Sequence, residues 1–242
     1  MSRSAAKYII KELYHPTSKF LAVIRGEINP REVELKLDDP ETTIFIAELS
    51  FCISSKWVDV AKDLMVCDYN IQNIEAFYCD SFQKQEAAFQ MMFMWLRSSM
   101  GHTTLQYLIR VLNRNDIAIC VHNLKVSQCV HSHEEEQIHQ QSLPRSTIAE
   151  ISKRIASQWK FVGRFLGMTE TDISLVASHG SGIEGHYKLM EQAVAMMDQW
   201  GKSNGHQATL FKLKNAIYAV HEHSDHILRD AVDFLTRPFG EH

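Results

Sequence analysis

The segment WKFVGRFLGMTETDI, residues 159–173, is the most informative part of this 242-residue chain for its fold. Its apolar residues recur at intervals of three and four, which is the spacing of an amphipathic helix. Gly167 is placed to end one helix, while Thr169 and Asp172 have the spacing of a capping box that begins the next. The segment therefore predicts two short helices joined by a tight turn.

The same spacing continues on both sides, from about residue 147 to residue 234. Thr147 and Glu150 repeat the capping-box pattern and predict a helix start. Gly201 and Gly205 are placed to end or turn helices. This block predicts about six short helices, centred on Ile151, Phe161, Ile173, Met190, Leu213 and Leu228.

Much of this pattern also occurs earlier in the chain. At an offset of 102, the residues Trp57, Ala61, Leu64, Ile71 and Ile74 match Trp159, Gly163, Leu166, Ile173 and Val176. After a three-residue insertion, Met91, Met92, Trp95, Thr104, Leu105, Leu108 and Leu112 match Met196, Met197, Trp200, Thr209, Leu210, Leu213 and Ile217. Two copies of one helical module are expected.

Four regions follow from these patterns: an N-terminal extension (1–40), a first helical module (41–124), a polar linker (125–142) and a second module (143–236). Within the extension, residues 4–15 predict a short amphipathic helix. Residues 20–37 show apolar alternation with a break at Asn29-Pro30, which predicts a hairpin.

The second module resembles the death domain of apoptotic and innate-immune adaptors over about 90 residues. The residues that carry the resemblance are Trp159, Val162-Gly163-Arg164, Leu166-Gly167-Met168, Asp172-Ile173, Trp200, Gly205, Ala208-Thr209-Leu210 and Leu213. The first module resembles a divergent death domain through Trp57, Val60-Ala61, Leu64, Ile71, Trp95 and Gly101 to Leu105, without the glycine pair. It has no clear Arg-x-Asp-Leu near its end, which argues against a death effector domain.

The resemblance implies an all-α protein of two six-helix bundles with Greek-key antiparallel helices and a short N-terminal extension. It also implies an adaptor that recruits death-fold proteins through homotypic or heterotypic contacts, and it allows a homo-oligomer. Tryptophans and leucines at helical spacing are core residues in most bundles, so we expect the four tryptophans to pack inward.

Composition excludes several other classes of function. A formal net charge of −4 gives no basic excess for neutralising phosphates, so nucleic acid is not an expected partner. No stretch approaches 18 uninterrupted apolar residues, and membrane insertion is not expected. Five irregularly spaced cysteines without a CxxC suit reduced thiols, which favours the cytoplasm.

Histidine clusters are the main alternative to an interaction module. His131 and His133 precede Glu134 to Glu136, and His221, His223 and His226 lie close together, so zinc ligation and an enzyme remain alternatives. No HExxH, Walker loop or GxSxG is present, and His179 to Gly185 lacks the features of a phosphate loop. The prediction is a non-enzyme with no catalytic residue, metal or cofactor; a regulator whose two modules mask each other is a further alternative.

Charged side chains in the second module are the candidate partner-binding residues. Residues 143–236 carry ten basic and ten acidic side chains. A basic and an acidic face on one module would permit head-to-tail contacts. The predicted partner-binding residues are Lys153, Arg154, Lys160 and Arg164 on the first two helices, and Glu170, Asp172 and Glu184 around the third.

Overall fold

A computed structural model describes residues 19–78 without 25 and 38, residues 83–99, residues 103–117 without 116, and residues 145–178, 185–223 and 228–236. Of these residues, 79% are helical, and the strand-like pairing among them is one isolated β-bridge between Glu34 and Thr104. The chain divides into two compact units, Met1–Val126 and Ser127–His242. The prediction of an all-α protein is confirmed.

Six helices are described in the first unit. They are α1 (Lys19–Ile24), α2 (Pro40–Ile53), α3 (Trp57–Asp63), α4 (Asp68–Phe77), α5 (Lys84–Ser98) and α6 (Leu105–Arg114). Helix α5 packs against α2, α3 and α4, and α3 also contacts α6. The methionine pair and Trp95 on α5 are buried, which makes α5 the centre of this unit.

Six α-helices are also described in the second unit. They are α7 (Arg145–Ile155), α8 (Trp159–Phe165), α9 (Glu170–Ala177), α10 (His186–Asn204), α11 (Leu210–His223) and α12 (Arg229–Thr236). Helix α10 packs against α7, α8 and α9, while α8 contacts α11 and α12 contacts α7 and α11. Five predicted helix centres lie inside these helices, and Leu228 directly precedes α12.

The predicted helix start at Thr147 is wrong, whereas the one at Thr169 is confirmed. Helix α7 begins at Arg145, two residues earlier, and the Glu150 carboxylate pairs with Lys153 and Arg154 within the same helix. At α9, the Thr169 hydroxyl accepts from the Asp172 N–H, and the Asp172 carboxylate accepts from the Thr169 N–H, completing a capping box.

The predicted hairpin over residues 20–37 is also wrong. Its first part is helix α1, which packs an apolar face inward, and Phe20 stacks on Phe45 with ring centroids 4.4 Å apart. Its second part pairs with a distant segment: the Leu35 N–H donates to the Thr103 carbonyl at 3.0 Å. The helix predicted over residues 4–15 and the linker over 125–142 lie outside the described residues.

Residue Lys19 ties α1 to the start of α2. Its ammonium group pairs with the Asp39 carboxylate and donates to the Thr42 hydroxyl at 3.2 Å. Burial raises the pKa of Asp39. Hydrogen bonds from Lys19 and Thr42, the positive charge of Lys19 and a hydrogen bond from the Glu41 N–H act in the opposite direction. Together they hold the pKa of Asp39 below its ordinary value. Lys19 of the predicted extension thus contacts the start of α2 within the first unit.

We predict that Lys19→Met reduces the acid sensitivity of the first unit. A carboxyl group with a lowered folded-state pKa stabilises the fold above its unfolded value of 3.8, and that stabilisation is lost as the pH falls through the folded value. Urea unfolding from pH 6 downward should show a shallower loss of unfolding free energy in the variant. Equal slopes in both proteins would contradict the role assigned to Lys19.

Helices α3 and α8 end in the same kind of turn. After α8, the N–H groups of Gly167 and Met168 donate to the carbonyls of Arg164 and Gly163, a Schellman pattern with Gly167 at φ +81°. The corresponding bonds follow α3, where Met65 occupies the same position at φ +60°. A side chain in this left-handed conformation costs roughly 1–2 kcal/mol.

We predict opposite effects of substitution at these two positions. Met65→Gly should raise the free energy of unfolding by about 1 kcal/mol because glycine tolerates the left-handed conformation. Gly167→Ala should lower it by about 1 kcal/mol although nothing lies within 4 Å of the new Cβ. Thermal unfolding of both variants tests this, and a destabilised Met65→Gly protein would show that the methionine side chain contributes packing.

Candidate interaction surface

All four tryptophans are buried, as predicted, and each belongs to the core of its unit. In the second unit, Trp159 and Trp200 are among the largest fully buried side chains. Because the four tryptophans are buried in the cores, a partner can contact only the residues that remain at the surface.

The predicted basic surface has to be corrected at Arg164, whose side chain is buried. Its side chain is 0% exposed, and its Nε and Nη2 atoms donate to the two Glu170 carboxylate oxygens at 2.8 and 3.2 Å. The guanidinium also lies 5.0 Å from the centre of the Phe161 ring. A bidentate, mostly buried pair of this kind joins α8 to the first turn of α9, so Arg164 does not present its charge to solvent.

The acidic residues predicted for the opposite face also take part in the fold. The Glu170 carboxylate faces Arg164, and the Asp172 carboxylate accepts from the Thr169 hydroxyl at 2.7 Å as well as from its N–H. Asp172 remains half-buried at the beginning of α9. Glu184 lies outside the described residues.

We predict that Arg164→Met destabilises the second unit by about 3 kcal/mol, because it leaves the Glu170 carboxylate unpaired at a mostly buried position. Lys153→Met is the matched control, since Lys153 is half-exposed and its loss should cost less than about 1 kcal/mol. Urea unfolding followed by tryptophan fluorescence measures both. Equal stability of the two variants would contradict a structural role for the Arg164 pair.

The other predicted basic residues do lie at the surface of the second unit. Lys153 and Arg154, in the last turn of α7, pair with Glu150 at 2.8 and 3.6 Å. The Lys153 hydrogen bond and charge, and then the Arg154 charge, hold the pKa of Glu150 below its ordinary value. Arg154 also lies 4.8 Å from the centre of the Phe234 ring, so α12 fixes its position. Lys160 on α8 is half-exposed.

Sequence reasoning missed an exposed apolar group on α9 and α10. Leu175 is 55% exposed and Tyr187 is 70% exposed, and they are accompanied by Leu189 and Val194. The Gln192 amide donates to the Ala177 carbonyl at 2.7 Å, which joins α10 to the end of α9. We use the name α9–α10 apolar face for these four residues on two contacting helices; Tyr187 and Val194 share one side of α10, whereas Leu189 lies on another side. Contiguous exposed apolar patches mark interaction sites, whereas single exposed apolar residues are common at protein surfaces.

A signal for part of this face was present in the sequence. The buried side of α10 is marked by Ala193, Met196 and Trp200, which recur at helical spacing. Tyr187 and Val194 are seven positions apart and therefore share a face, but that face is turned away from the buried one. The positions of Tyr187 and Val194 around the helix axis could have distinguished them from the core residues of α10.

A histidine metal site and an enzyme were the alternatives to an interaction module. Among them, no group of three or more His, Cys, Asp and Glu residues is placed to hold a metal ion. His221 is buried on α11. His131, His133, Glu134 to Glu136 and His226 lie outside the described residues, as does the segment 179–184. In the part of the chain that is described, no helix is long and apolar enough to cross a bilayer.

The second unit is a bundle of helices whose surface carries exposed apolar and charged side chains. Residues 145–229, which span α7 to the beginning of α12, match the family model of the Death domain. This match supports the resemblance of that segment to the death-domain superfamily. Comparisons with the curated proteins and with the solved structures gave no match.

Proposed function

We propose that this protein is a signalling adaptor whose second unit recruits death-fold proteins through homotypic or heterotypic domain contacts. The observation that carries the proposal is the Death domain match over residues 145–229, which covers most of the second unit. Death domains are in general protein-interaction modules and not enzymes, and the proposed role requires no cofactor.

Two surfaces of the second unit suit this role. The α9–α10 apolar face supplies area that a partner can remove from water. The basic end of α7, with Lys153 and Arg154, and the neighbouring Lys160 supply charge that orients an acidic partner surface. Asp172, half-buried at the start of α9, is a further contact in the proposal.

The first unit is proposed to be a divergent death domain. Its helices α2 to α6 correspond in order to α7 to α11, and α5 takes the central position that α10 has in the second unit. Most positions matched by the sequence repeat are buried in both units, including Trp57 with Trp159 and Leu108 with Leu213. Two linked modules would raise the effective concentration of the second contact once the first has formed.

The pathway and location belong to the same proposal. Adaptors of this class act in apoptotic or innate-immune signalling in the cytoplasm. Contacts between their death-fold domains build oligomers. Five irregularly spaced cysteines that suit reduced thiols, and a net charge without a basic excess, are compatible with an adaptor in the cytoplasm.

The proposal is tested by binding of the full-length protein to a panel of purified death-fold domains. Against a partner that binds, Tyr187→Ser combined with Leu175→Ser should weaken the interaction by about tenfold or more, because both side chains lose apolar area. Lys153→Glu should weaken it less at high salt than at low salt, since exposed charges are screened. Surface plasmon resonance at two salt concentrations measures these effects.

Lys212→Glu is the matched control, because Lys212 is exposed on α11 and outside both surfaces. It should leave the affinity unchanged although it alters the net charge by the same amount as Lys153→Glu. Absence of binding to every death-fold domain would contradict the adaptor proposal. Equal losses in the control and in Lys153→Glu would contradict the chosen basic surface.

A further inference from the structure

The residues before α2 pack against the first unit as a strap. We use the name N-terminal strap for α1 together with residues 26–37. The side chains of Phe20, Val33 and Leu35 in the strap are buried. In the part of the second unit that is described, no helix precedes α7, although α7 to α11 correspond in order to α2 to α6. Among the described residues, the strap is therefore an addition to the helices that the two units share.

Backbone hydrogen bonds attach the second half of the strap to the start of α6. The Leu35 N–H donates to the Thr103 carbonyl at 3.0 Å, and the Leu105 N–H donates to the Val33 carbonyl at 2.9 Å. Leu105 is buried at this place. The pairing is an isolated β-bridge, so it can open without disrupting a longer ladder of hydrogen bonds.

Lys19 holds the two halves of the strap to the start of α2. Its ammonium group pairs with the Asp39 carboxylate before α2 and donates to the Glu34 carbonyl of the strap at 3.4 Å. Its backbone N–H donates to the Glu41 carboxylate at 3.3 Å. The Lys19 and Asp39 side chains are 28% and 26% exposed, so water can compete for their ion pair.

The first half of the strap depends on α2 for its structure. Helix α1 has six residues, and an isolated helix of that length is not stable in water. Packing against α2 supports it, because Phe20 stacks on Phe45. Parts of a fold that are held by few contacts open at a lower free energy than the fold as a whole. We therefore expect the strap to leave α2 and α6 before the helices of the first unit separate.

We propose that the N-terminal strap opens as a unit while α2 to α6 stay folded, and that its opening uncovers an apolar surface on the first unit. The uncovered residues would include Phe45 and Leu105, each of which is 4% exposed when the strap is closed. The strap is thus an intramolecular cover of this surface. The proposal concerns the first unit alone and does not rest on the proposed function of the second unit.

Native-state amide hydrogen exchange of the full-length protein at low urea concentrations tests the opening. The Leu35 and Leu105 amides, which bond between the strap and the start of α6, should exchange at least about tenfold faster than the slowest amides of α5. Their exchange should also depend less on urea, because opening the strap exposes less surface than unfolding the unit. Equal exchange free energies and an equal urea dependence in the strap and in α5 would overturn the proposal.

Lys19→Met should raise the exchange rate of the Leu35 amide by about tenfold or more, because it removes the ion pair and the hydrogen bond to Glu34. Lys36→Met is the matched control. Lys36 lies in the strap and pairs with Glu34 at 3.4 Å, but both of these side chains are more than half exposed. The control should change the Leu35 rate by less than about fivefold. Equal effects of the two substitutions would contradict the role of Lys19 in closing the strap.

Binding of the fluorescent dye anilinonaphthalene sulfonate reports the uncovered apolar surface. Lys19→Met should bind more dye than Lys36→Met under conditions in which circular dichroism shows that both variants are folded. Faster Leu35 exchange without added dye binding would mean that opening uncovers no apolar surface, and would overturn the proposal. None of these results would affect binding of death-fold partners by the second unit, so the two proposals fail separately.

Discussion

The buried ion pair between Arg164 and Glu170 is the interaction on which the second unit most depends. It connects the last turn of α8 to the first turn of α9, and the turn between them is fixed by the left-handed Gly167. Space for α9 comes from Gly163, where a Cβ atom would lie 2.7 Å from the Cδ1 atom of Ile173. Since α9 is held in this way, Leu175 is directed outward and becomes part of the α9–α10 apolar face.

The first unit has no equivalent pair at the same corner. Lys62 and Asp68 occupy the positions that correspond to Arg164 and Glu170, and both are exposed without an ion-pair partner among the described residues. The corner is held by apolar packing, with Trp57 and Ile71 buried behind it. Asp68 is consequently exposed, so the two units carry different surface charges at these positions.

Helices of the second unit could be predicted from the sequence because apolar residues at intervals of three and four dominate it, and because the Thr169 capping box is a local signal. Arg164 could not be assigned correctly, since its burial depends on a carboxylate six residues away across a turn. The pairing of residues near Leu35 with Thr103 was likewise missed, because a contact over nearly seventy residues leaves no local pattern. Leu175 was overlooked because apolar residues in a bundle are expected to be buried.

We propose that a death-fold partner binds the α9–α10 apolar face of the second unit. Amide hydrogen exchange of the full-length protein, alone and in complex with such a partner, tests this claim most directly, because it reports protection along each helix. Amide exchange should become slower in α9 and in the first half of α10 on binding, with little change in α11. Protection confined to other helices, with α9 and α10 unaffected, would contradict it.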